Sequence, residues 1–528
     1  MSSTKFTEKT EGGPPHTGWQ APREMAPSTI VAAQPVVPRL VGSFGLVCAV
    51  LGGVTLALYA WYPAQGRLIS PGWARVLVVL GFGGILYHAL VDADVQVRRL
   101  YQVLGYALIL LAVFLTWLPI NEVYGSQFLP WGVFGYFLGL VFLLAFLRNE
   151  TETLLCDYAL YVIGALGGVM AIVGFVFSSF GPQAEKFLFS HGLLLTILGL
   201  LYGSTFVLQR PTGETLRYRA GIGMGLGGGL FFLIALYRSF FVHLYVMPAG
   251  LLLMGLGLLY VAVSVGLCSE LPVVVLARRE LTRFFCTPIA YIVLLASVLL
   301  SWLLFWLFVF VLINLSIGRP GMPGMGLPEP IVGSYLWGPV WFVPVISMLV
   351  IVPLLTMGLL SEEQRTGTME MLLTVRASET TVVLGKFLAA LTAFVLFWLP
   401  WSGYLISLRI YGEQPFDYQP LLSFYIAMMF LGANFIAMGL FFSSLTQNQL
   451  TSGILCFIAM MFLIVVYVLK RLVAGTVWAD IIDHTSFIDL WENASAGKLP
   501  LRMLIYHASA AVFWLVLSVK VLEVRRWR

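Results

Sequence analysis

Stretches of about twenty mostly apolar residues, the length a helix needs to cross the hydrocarbon core of a bilayer, recur from one end of this chain to the other. They lie near residues 41–62, 71–90, 100–119, 129–147, 158–179, 187–208, 220–237 and 245–268. A second set lies near 289–313, 339–360, 380–408, 421–444, 451–469 and 505–524. The pattern predicts an all-α polytopic membrane protein with about fourteen transmembrane helices. The run at 71–90 has the weakest signal, because Arg75, Gly81, Gly83, Gly84 and His88 interrupt it. Composition agrees: 59% hydrophobic and 10% charged residues exclude a water-soluble globular chain, which could not hide so much apolar surface.

The net charge of +5 does not indicate nucleic acid, since the basic residues are scattered through short loops, where they report topology. With the N-terminus in the cytoplasm, the inner loops hold Arg98, Arg99, Arg148, Arg210, Arg217, Arg219, Arg278, Arg279 and Arg283, then Arg365, Arg376, Lys386, Lys520, Arg525, Arg526 and Arg528. Outer segments hold fewer, so both termini are expected in the cytoplasm and the chain in the inner cell membrane. Residues 1–40 read as a disordered tail rich in Pro, Thr, Ser and Gly. The first apolar run is too long for a signal-peptide core and is expected to remain as a helix. Five cysteines without CxxC spacing predict packing roles rather than a disulfide framework or a metal site.

One internal boundary falls near residues 269–288, dividing an N-terminal membrane domain of about eight helices (41–269) from the remainder (270–528). The segment SELPVVVLARRELTRFFCTPIAYI is short, basic and helical in pattern. Leu281, Phe284 and Phe285 are read on one side of it and Arg278, Arg279, Glu280 and Arg283 on the other, as in a helix lying in the headgroup plane. A second informative stretch is the loop 361–378, SEEQRTGTMEMLLTVRAS. There Gly367 permits a break, Thr368 suits an N-cap, and Glu370 in the first turn complements a helix dipole. Met369, Met371, Leu372 and Leu373 supply an apolar surface. On these features alone the loop is either a short helix that takes a push from a soluble partner or an ordinary solvated turn.

The stretch EEQRTGTMEMLLTVRASETTVVLGKFLAA resembles the cytoplasmic loop of type-2 ABC transporter permeases. The matching residues are Glu363, Arg365, Gly367, Thr368, Glu370, Leu372 and Leu373, followed by Gly385 and Lys386 where the next span starts. RRELTRFFCTPIAYIVLLASVLL is similar to the interfacial elbow and first span of the gliding-motility-type subfamily, with Glu280, Phe285, Pro288 and Tyr291 in place. The tail, ending in Arg-Trp-Arg, resembles that subfamily's last span. Together these cover about residues 275–528. The resemblance implies a six-helix permease bundle that pairs with a second permease half and with ATP-binding subunits carrying the ATP and Mg. This chain has no GxxxxGK[ST] loop and is not expected to be an enzyme by itself or to bind a cofactor.

The first eight spans match nothing in that family and are read as a fused accessory domain, a substrate gate or a diverged partner half. The GxGxxG match at Gly223, Gly225 and Gly228 sits inside an apolar run, which favours close helix packing. His88, His191 and His243 are isolated and lack ligand spacing. The outer loops 314–338 and 470–504 are candidates for a gate or a membrane anchor. Two other classes stay open: an ion-coupled secondary transporter, which calls for internal symmetry and buried charge, and a polytopic membrane enzyme acting on lipid, which calls for a reactive polar cluster.

Overall fold

The computed structural model describes residues 36–61, 70–91, 94–117, 122–150, 152–180, 187–209, 214–238, 250–317, 342–367, 378–411, 419–470, 482 and 484–526. The described residues contain helices and turns and no strand. The tail 1–35, the segment 318–341 and the loop positions 368–377 lie outside them. The chain divides into two compact units, Met1–Glu152 and Thr153–Arg528.

The first unit contains α1 (Val36–Trp61), α2 (Pro71–Val91), α3 (Val95–Trp117) and α4 (Glu122–Asn149). Consecutive helices pair, α1 with α2 and α3 with α4. Aromatic side chains fill the space within and between the pairs: Tyr101 of α3 stacks on Phe142 of α4 with ring centroids 5.7 Å apart, and Phe82 of α2 meets Phe142 edge-on at 6.5 Å. His88, in the weakest of the expected spans, hydrogen bonds to the Tyr101 hydroxyl.

The second unit begins with two further pairs. They are α5 (Thr153–Phe180) with α6 (Leu193–Leu208), and α7 (Glu214–Tyr237) with α8 (Gly250–Cys268). A single π turn, Leu188–Gly192, leads into α6. After α8 the chain turns by 96° into α9 (Pro272–Phe285), the only break of this kind among the described residues. Pro272 at the first position of α9 lacks the N–H that would go unbonded there, so it favours a helix start. The guanidinium of Arg278 donates to the Leu267 carbonyl at 2.7 Å and closes the corner.

The remaining helices are α10 (Pro288–Ile317), α11 (Phe342–Thr356), α12 (Ser361–Thr366), α13 (Glu379–Tyr411), α14 (Gln419–Leu445), α15 (Gln449–Leu469), α16 (Phe487–Ser495) and α17 (Leu501–Arg526). Their packing is not consecutive: α14 packs on α17 and α9 on α13. α11, α13 and α14 form the centre of this bundle, while α15 and α17 leave most of their apolar side chains on its outside. That distribution is expected where the surrounding solvent is hydrocarbon.

Twelve described helices are long and apolar enough to cross a membrane. The other two expected spans are present as α6, shortened by its π turn, and α8, which ends at the bend. The short helix α16 within the segment 470–504 is capped by Ser486, whose hydroxyl accepts from the Asp489 amide at 3.1 Å. Asp489 pairs with Lys470 at 3.1 Å. α16 is not a surface element. Trp491 is about as buried as any residue in the chain, with its ring 5.4 Å from Trp398 and 5.3 Å from Phe424.

Candidate functional site

The charged side chains expected at the boundary segment and in the loop 361–378 meet at one corner of the second unit. Three short-range features bring α9, α12 and α13 together. First, Ser378 caps α13 by accepting from the Thr381 amide at 3.2 Å. Second, Gly385 lets α9 approach closely, since a Cβ there would lie 2.9 Å from the Leu276 side chain. Third, Ser443 at the end of α14 accepts from the backbone amides of Leu360 and Ser361 at 3.0 and 3.1 Å. It thereby satisfies two donors that the start of α12 leaves without helical partners. Gln364 adds a bond to the Ser444 carbonyl at 2.9 Å, and Gly367, at φ 71°, ends the helix in the left-handed conformation that glycine adopts without strain.

Within this corner Lys386 is completely buried. Its ammonium lies 2.7 Å from Glu363 Oε1 on α12 and 3.4 Å from Glu280 Oε2 on α9. Both carboxylates are buried, with side chains 5% and 8% exposed. Arg283, half exposed, reaches Glu362 at 3.1 Å and Glu363 at 3.8 Å. A charge this deep is tolerated only when paired. Lys386 therefore ties the approach of α9 and α12 to the position of α13. Phe284 extends the contact by meeting Phe397 of α13 edge-on at 6.0 Å.

Of the residues expected to matter, the structure brings together Glu280, Arg283, Glu363, Lys386 and Phe284. Glu280 corrects the sequence reading, which set it on the charged side of α9 with the arginines. It faces inward, one turn from Leu276 on one side and one turn from Phe284 on the other, because the buried ammonium of Lys386 gives it a partner there. Arg279 and Arg365 are exposed, Arg278 serves the α8–α9 corner, and Phe285 packs edge-on against Phe284 at 5.5 Å. The loop reading placed a helix after Gly367. The described helix precedes it, and Thr368, Glu370, Leu372 and Leu373 lie outside the described residues.

Sequence reading missed Glu362 and the Ser443 anchor, because their partners are on helices far away in sequence. It also missed a polar pair inside the bundle, where the Asn434 side-chain nitrogen and His507 Nδ1 lie 3.0 Å apart, both buried. The only local signal was the presence of an amide and an imidazole within otherwise apolar spans. Among the described residues no group of three His, Cys, Asp or Glu side chains has metal-binding geometry.

Comparison with known proteins finds a family match over part of this corner, α12 and α13 but not α9. Residues 340–489 match the family model described as ABC-2 family transporter protein, a stretch that runs from α11 to α16 and contains both Glu363 and Lys386. Neither the comparison with curated proteins nor that with solved structures gives a match. The chain is thus an all-α polytopic membrane protein that carries an ABC-2 type transporter domain in its C-terminal half.

Proposed function

We propose that this chain is the membrane-spanning permease subunit of an ABC transporter, of the gliding-motility type, and that residues 270–528 form its permease domain. ATP and Mg act on a separate ATP-binding subunit, and a second permease half completes the pathway. Both termini and the loop 361–378 lie in the cytoplasm of a cell whose inner membrane holds the chain. The observation that carries the reading is the buried contact of Lys386 with Glu363, both inside the stretch that matches the ABC-2 family model, and with Glu280 of α9, which precedes that stretch. Through it α9, α12 and the start of α13 move as one body. A displacement of the loop by a partner would then reach the spanning helix α13 directly, instead of being absorbed in a flexible linker.

The test is affinity co-purification from native membranes, comparing the intact chain with the double variant Arg365→Glu, Glu370→Arg. Both substituted positions are in the loop 361–378, and Arg365 is exposed. The expected result is an ATP-binding subunit that accompanies the intact chain and is lost from the variant, while the variant still inserts. Absence of any such subunit from the intact chain under mild detergent with crosslinking, together with transport that survives ATP depletion, would replace this reading with an ion-coupled carrier.

A further inference from the structure

The eight helices α1–α8 pair in sequence order, and each pair closes on the same register of small residues. In α1–α2, Gly45 faces Gly81, and seven residues on in one helix and seven back in the other Gly52 faces Ala74. A Cβ on either Gly45 or Gly81 would lie 2.7 Å from the other's carbonyl oxygen, and one on Gly52 would lie 2.7 Å from that of Ala74. In α3–α4 the same step joins Gly105 with Gly139 and Ala112 with Gly132, where a Cβ on the α4 glycine would lie 3.0 and 3.3 Å from the opposing oxygen. In α5–α6, Gly167 faces Gly199 and Gly174 faces Gly192 of the preceding π turn, at 3.2 and 3.1 Å. In α7–α8, Gly228 faces Gly257 at 2.8 Å, and seven residues away Ser264 Oγ donates to the Gly221 carbonyl at 2.7 Å.

Two turns of helix span about seven residues, so a small residue at every seventh position keeps to one face and lets two backbones approach along a line. A glycine in an apolar helix is common, and one such seam would mean little. Four successive pairs in one register are a different observation. The first residue of this register in each leading helix stands at 45, 105, 167 and 221, a recurrence of roughly sixty residues, as tandem duplication of one two-helix unit produces.

We propose that α1–α8 are four tandem copies of a single two-helix unit, each closed by the same antiparallel small-residue register. The C-terminal helices pack in another way, α14 on α17 and α9 on α13, so the eight-helix region is not a diverged second permease half. If the permease reading holds, the second half comes from another polypeptide.

Adjacent glycines provide the test in the full-length protein. Gly52, Gly84, Gly167 and Gly228 lie on seams, whereas at their neighbours Gly53, Gly83, Gly168 and Gly227 an added Cβ would meet nothing within 4 Å. Leucine at each seam position is expected to lower the folded-to-unfolded ratio roughly 5-fold or more through overpacking. Leucine at the neighbouring position should leave it unchanged. Where a seam variant fails to accumulate, cysteine pairs at 45/81, 105/139, 167/199 and 228/257, oxidised in intact membranes, report the register directly, with cross-linking within each pair expected. Equal effects at seam and neighbouring glycines, or sensitivity confined to one helix pair, would overturn the repeat. The native mass of the purified complex reads the second consequence: two permease chains are expected, and one permease chain with a complete ATPase pair would overturn that consequence while leaving the register result intact.

Discussion

Replacing Lys386 with methionine removes the one ammonium that Glu280 and Glu363 share, with little change in side-chain volume. At an effective dielectric constant of about 20, contacts of 2.7 and 3.4 Å correspond to gross attractions of roughly 6 and 5 kcal/mol. Desolvating three buried charges offsets most of this. The net cost of Lys386→Met is therefore not the sum of the attractions but the penalty of leaving two carboxylates buried and mutually repelling, with only the half-exposed Arg283 at 3.8 Å left to Glu363, about 3–5 kcal/mol. Adding Glu363→Gln removes one of those stranded charges and should recover about 1–3 kcal/mol. The triple variant with Glu280→Gln as well should be the most stable of the three variants, because no buried charge then lacks a partner. Unfolding of the full-length protein in micelles of increasing dodecyl sulfate content, followed by far-ultraviolet circular dichroism, gives the four free energies. A Lys386→Met variant within about 0.5 kcal/mol of the parent, or a triple variant no more stable than the single one, would refute the claim that this cluster fastens α9 and α12 to α13.

Two further changes test the neighbouring geometry by the same measurement. Gly367→Val forces a β-branched residue into the left-handed region at φ 71° and should cost about 1–3 kcal/mol, whereas Gly367→Asn, whose side chain tolerates that region, should cost less. Trp491→Ala empties the space between Trp398 and Phe424 beneath α16 and should cost about 3–5 kcal/mol; a value below about 1 kcal/mol would show that α16 does not contribute to the core.

The positions of the spans were legible because lipid imposes one rule on every residue that crosses it. Even the weak run at 71–90, interrupted by Arg75 and His88, is a helix, with Gly81 and Gly84 used for contact with α1 rather than for a break. Glu363 and Lys386 were singled out by the resemblance of one loop and its flanking span to a family pattern, and the structure shows the two side chains in contact. Glu280 was placed on the wrong side of α9 because a buried carboxylate looks unfavourable until its partner is known, and that partner is 106 residues further along the chain. Ser443 gave no local signal, since a serine near the end of an apolar helix reads as an ordinary small residue. The seven-residue seams of α1–α8 were visible only as scattered glycines. Their register exists between helices, so it cannot be counted along one of them.

Run length and composition alone determined that this protein is helical and crosses the membrane many times, because transfer of apolar surface depends on local content and not on neighbours. Tertiary structure decided which charges are buried and with whom, that α16 packs into the bundle instead of lying on it, and that eight helices close as four similar pairs. Those outcomes depend on contacts between segments far apart in sequence, where the energy of a buried ion or a close backbone approach is defined only once both partners are in place.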